Sequence, residues 1–143
     1  MSFIYNEAKR AFARGEIDLV SDDIRLALLS TNTTADTEDD VNLMNGFSTL
    51  DEYDGSGYAR AALDSQAVNE DAANNRAEFD AADEVLTTIG AGTRAIEGGQ
   101  IYKHVTNDTD SVPIAFVDDF TNFNGNGGDI TFQWNAEGIL QFT

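Results

Sequence analysis

Asp129-Ile130-Thr131-Phe132-Gln133-Trp134-Asn135 alternates between polar and apolar side chains, so Ile130, Phe132 and Trp134 share one face of a β-strand. The same reading extends outward. Downstream, Ala136-Glu137-Gly138 turns the chain, and Ile139-Leu140-Gln141-Phe142 closes it as a last strand. Upstream, the Asn/Gly-rich stretch 124–128 is a loop, because those residues accept the backbone angles of turns. Before it, residues 112–119 form the most apolar strand, with Pro113 near its start, where a missing N–H is tolerated. Further strands are expected at 23–29, 58–63 (extended by 66–69), 76–80, 84–89 and 100–105, with Ala77 and Phe79 on one face. Turns are expected at 54–57, 70–75, 90–92, 98–99 and 107–110, while 93–96 is too short to show a period. Residues 41–53 include a short helical turn around Leu43 and Met44, with Phe47, Leu50 and Tyr53 anchoring it to the core. Residues 3–14 read as a helix with Ile4, Ala8, Ala11 and Phe12 at helical spacing, stopped by Gly15. The expected fold is mainly β, an antiparallel sandwich or barrel of about seven or eight short strands with an N-terminal α-helix.

The 143 residues suit one domain, with a helical segment at 1–15, a β-rich body at 16–143 and an acidic loop near 31–57. A 41% hydrophobic fraction with nine Phe and four Tyr is enough for a core. Lys and Arg number 8 against 26 Asp and Glu, a formal charge of −18. That charge argues against nucleic acid and anionic membrane as direct partners, since a DNA binder must present cations to phosphates. No Cys means no disulfide, thiol nucleophile or Cys-based zinc site, and one His rules out multi-His metal sites. No apolar run approaches the roughly 18 residues of a membrane span. The N-terminus lacks a signal-peptide pattern, because Asn6, Glu7, Lys9 and Arg10 interrupt it. Asp outnumbers Glu and Arg outnumbers Lys, a balance that keeps a surface hydrated in salt and that self-repels until salt screens it.

Catalytic chemistry finds little support. The doublets Asp22-Asp23, Asp39-Asp40 and Asp118-Asp119 place neighbours on opposite faces if they lie on strands, the wrong geometry for a glycosidase pair. The oxygen-rich stretches 51–57 and 107–110 do not follow the alternate-oxygen spacing of an EF-hand loop. His104 reads as a surface or rim residue, with no Gly-x-Ser-x-Gly elbow to supply a nucleophile. The glycines at 90–92 and 124–128 match turns rather than a phosphate loop. No catalytic residue, cofactor or metal is expected. Phe132, Trp134 and Phe142 read as core, whereas Phe120 and Phe123 lie in a loop, where aromatics anchor partners or pack under the sheet.

Both ends of the chain carry a resemblance. Residues 4–19 with 23–28 (Asp-Ile-Arg-Leu-Ala-Leu), residues 76–80 and 101–103, and the closing run 126–142 together resemble small virion proteins of tailed bacteriophages. The resemblance covers most of the chain apart from the loop 31–57 and rests on structural residues. It implies a non-enzymatic, many-copy protein, first of all a capsid decoration (cement) protein outside the shell. Its implied partners are the major capsid protein and itself, as a trimer or dimer at local symmetry axes. A tail, baseplate or fibre component is the alternative; a small glycan-acting enzyme is a third class. On the decoration reading the shell contacts come from Met1–Arg14, with Phe3, Ile4, Tyr5, Lys9 and Arg10, from Asp36–Tyr53, with Leu43, Met44 and Phe47, and from Phe120 and Phe123. For the first two segments, packing onto their own sheet competes with that reading.

Overall fold

In the computed structural model, which describes residues 2–143, the chain runs β1 (Phe3–Ile4), α1 (Asn6–Arg14), β2 (Ile24–Ser30), β3 (Ala61–Ala62), β4 (Ala67–Asp71), β5 (Arg76–Asp80), β6 (Glu84–Ile89), β7 (Ile96–Lys103), β8 (Val112–Val117), β9 (Gly128–Phe132) and β10 (Leu140–Phe142). The fold is mainly β and every strand pair is antiparallel. The main sheet has the order β1-β8-β7-β2-β3, beside smaller sheets β10-β5-β4 and β6-β9. Ten strands replace the expected seven or eight, because two are two-residue edges.

β2 and β7 form the centre. Opposite residues in an antiparallel pair share a face, so Leu26, Leu28, Gly99 and Ile101 line one side of the sheet and Ala27, Leu29, Gly98 and Gln100 the other. All eight are buried, so the sheet is covered on both sides. On the second face the Tyr5 hydroxyl lies 2.6 Å from the Ala35 carbonyl and 2.8 Å from Gln100 Oε1. The first face looks toward β9, whose Phe132 lies beside Gly99. One continuous apolar core joins these layers, and the Phe12–Phe142 edge contact at 5.3 Å ties α1 to β10.

Several local expectations change. Phe3 and Ile4 pair with Phe116 and Ala115 of β8 instead of starting the helix, and α1 begins at Asn6. Gly15 does end it, at φ 70°, with its N–H returning to carbonyls of the last turn. The glycines Gly98 and Gly99 lie inside β7 rather than in a turn. A Cβ on Gly98 would sit 2.2 Å from the Phe116 ring, and one on Gly99 2.8 Å from a Leu26 methyl, so the pair makes room for neighbouring side chains. Only Ala61–Ala62 of the stretch 58–63 is strand, and Trp134 lies beyond the end of β9. The helical turn near Met44 is a 3-10 turn over Met44–Gly46. Among the described residues no helix is long and apolar enough to cross a membrane.

Candidate partner-binding site

Four aromatic rings run in series along one side of the molecule. Phe123 meets Phe120 at 5.7 Å, Phe120 meets Phe132 at 5.6 Å and nearly perpendicular, and Phe132 meets Trp134 at 6.2 Å. Alternation on β9 turns Phe132 inward, and Phe123 is held by paired backbone bonds to Ile96. The Trp134 indole donates to the Ala82 carbonyl at 3.0 Å, which fixes the ring's polar edge. These rings, with Val117 and Ile139, line an open groove of about 410 Å³. A second hollow of about 320 Å³, lined by Ser2–Ile4 and Gly138–Gln141, shares Val117, Asp119, Asn135, Gly138 and Ile139 with the first, so the two are continuous. The second hollow lies between two sheet edges, since β1 ends the main sheet and β10 ends the three-stranded one.

The expected contact residues divide into three groups. Tyr5, Met44 and Phe47 are buried in the chain's own core, so they offer no surface to a partner. For them, packing under the sheet is the outcome: Tyr5 stacks edge-on against Phe47 at 5.6 Å, and the Met44 N–H donates to the Ser111 carbonyl at 2.9 Å. Leu43 is half-buried beside the 3-10 turn, away from the groove. Lys9 and Arg10 are exposed on α1, but Arg10 pairs with Glu7 and Glu16 and Lys9 donates to Asn6. Phe3, Ile4, Phe120 and Phe123 are half-buried and line the groove. Met1 lies outside the described residues. Sequence reasoning read Trp134 as core, against which it does pack while also lining the groove, and did not single out Ile139; its pointers to this place were the loop aromatics Phe120 and Phe123 and the N-terminal Phe3 and Ile4.

The clusters around the arginines are internally satisfied, whereas among the described residues two buried side-chain atoms, Asp80 Oδ1 and His104 Nδ1, have no hydrogen-bond partner. Arg60 bridges Glu52 (2.7 Å) and Asp108 and lies 5.2 Å from the Tyr102 ring centre. Asp108 is thereby held below the usual carboxylate range by the Arg60 hydrogen bond. The Tyr58 hydroxyl sits in the same cluster, 3.0 Å from Glu52 Oε1, and its phenol is pushed up by burial. Asp23 and Asp51 are lowered in the same way by Arg25 and Arg94. Within the oxygen-rich stretches 51–57 and 107–110, Asp54 accepts from Thr93 and Asp110 accepts from the Thr106 and Asn107 N–H groups, so their oxygens already serve the fold. Asp71, Glu78 and Glu137 converge closely enough to hold an ion, but Arg76 pairs with all three and supplies the positive charge. His104 is half-buried against Tyr102, as a rim residue, and its Nδ1 has no partner. Glu84 and Glu97 are pushed upward, chiefly by burial.

Compared with family models, with curated proteins and with solved structures, the chain matches none. The groove therefore stands on its own geometry: an apolar, aromatic trough between two sheet edges, on an acidic chain whose arginines are all paired with carboxylates.

Proposed function

We propose that the chain is a non-enzymatic virion structural protein, a capsid decoration protein that binds the outer surface of the major capsid protein shell as a trimer or dimer. The observation that carries a binding role is the groove whose half-buried rings are Phe120, Phe123 and Trp134, floored by the buried Phe132, an apolar surface of the type that anchors protein partners. The resemblance of the chain's two ends to small phage virion proteins supports the virion setting. The acidic surface suits dense display, because it keeps neighbouring copies hydrated and away from the genome. Many copies with modest individual affinity would hold the shell through avidity.

Quantitative mass spectrometry of purified virions, with the major capsid protein as internal standard, tests this. A ratio near one to one, or a simple fraction of it, supports decoration. A ratio of a few per cent overturns it in favour of a tail, baseplate or fibre component.

A further inference from the structure

The backbone phase of β1 exposes an unused strand edge. The Tyr5 N–H donates to the Ile114 carbonyl at 3.0 Å. In the same register Phe3 opposes Phe116 and Ile4 opposes Ala115. Hydrogen-bonded and non-bonded pairs alternate along an antiparallel ladder, so the N–H and C=O of Ile4 point away from β8, on the outer edge that borders the groove. Across it stands β10, whose other side is occupied by β5. The trough thus presents two backbone edges, and the four aromatic rings continue from it. Its charge has one sign: Asp119 lines both halves, and no Lys or Arg lines either.

We infer that this groove takes an extended segment of a partner protein by strand addition, a segment with apolar side chains at alternate positions and Lys or Arg beside them. Strand addition satisfies the edge backbone groups, and alternate pockets read alternate side chains. The basic flanks follow from Asp119 and from a chain of net charge −18. The inference rests on the binding role proposed above and specifies the partner's chemistry.

The test pans a randomised peptide library against the full chain and measures the recovered peptides by calorimetry. The expected peptides alternate apolar with polar residues, carry flanking Lys or Arg, shift the emission of the single Trp, Trp134, and slow exchange of the Ile4 amide but not of the Val68 amide on the free β4 edge. Asp119→Lys is expected to weaken binding about fivefold through the rim charge. Ile4→Pro removes the outward donor and is expected to weaken binding about tenfold. An outward-facing N–H on an edge strand is where proline is tolerated, but Ile4 also packs partly against the core and Asp119 accepts from the Ser2 hydroxyl at 2.8 Å, so Ile4→Ala and Asp119→Asn serve as controls that remove the packing and the charge separately, and binding is compared under conditions where unfolding curves show every variant folded. Recovery of no peptide, or of peptides indifferent to both variants, overturns the inference. Sedimentation showing self-association that both variants abolish overturns it in favour of a second copy. Failure here alongside a capsid-like copy number removes only this groove; a low copy number with peptide binding intact removes only the decoration reading.

Discussion

The Tyr53 hydroxyl accepts hydrogen bonds from the Gly92 and Gly125 N–H groups at 2.8 and 2.9 Å, and sits 2.8 Å from the Gly90 carbonyl. One atom thereby joins three loops that are far apart in sequence. The glycines around it are needed for close approach: a Cβ on Gly55 or Gly92 would stand 2.4 or 2.6 Å from the Tyr53 ring. In Tyr53→Phe the buried Gly125 N–H loses its acceptor, while the Gly92 N–H keeps Asn124 Oδ1 at 2.8 Å. One orphaned donor rather than two sets the cost at about 1–2 kcal/mol, to be read from urea unfolding midpoints. From sequence, Tyr53 was legible as an anchor of its loop, because a tyrosine in a polar stretch has its apolar surface to bury. Its hydroxyl partners were not legible, since Gly92 and Gly125 are distant along the chain.

At the scale of elements, strands marked by alternation, as in β5, or by β-branched residues, as in β6, were readable. β5 falls on the expected residues, and β6 likewise. The pair Gly98-Gly99 was misread because glycine marks either a turn or a close approach, and only the Phe116 ring from β8 decides between them. Gly98→Val forces side-chain atoms into that fully buried ring. The expected loss is about 2–3 kcal/mol, measured as a lowered unfolding midpoint with an unchanged urea slope. Phe3 and Ile4 were misplaced for a related reason: a two-residue strand has no period of its own, and its identity comes from the β8 edge it meets. The candidate site suffers most from this limit. Its loop aromatics were visible, but the groove exists only where the ends of β1 and β10 and the 120–123 loop are brought together.

At the scale of the whole molecule, charge sets the response to pH and salt. Asp23, Asp51 and Asp108 titrate lower folded than unfolded. Their stabilisation is present above their unfolded values of about 4 and is lost as pH falls through the folded values. Glu84 and Glu97 titrate higher folded, so they destabilise as pH rises above about 4.3 and they ionise. General repulsion among 26 carboxylates adds to that second effect. At low salt, thermal unfolding is therefore expected to peak at about pH 5, fall toward pH 7 and fall more steeply below about pH 4. Added NaCl at pH 7 is expected to raise the melting temperature by several degrees, and by less at pH 5, where fewer carboxylates repel. A flat salt response at pH 7 would show that local Arg pairing already neutralises the repulsion. By itself the sequence determined a mainly β, antiparallel chain with a helix capped at Gly15 and an intensely acidic surface, because side-chain period, turn chemistry and net charge are local or additive properties. The tertiary structure alone decided the sheet order, the role of Gly98-Gly99, the burial of Tyr5, Met44 and Phe47, and the groove between two edges, because each depends on which distant segment comes to lie alongside.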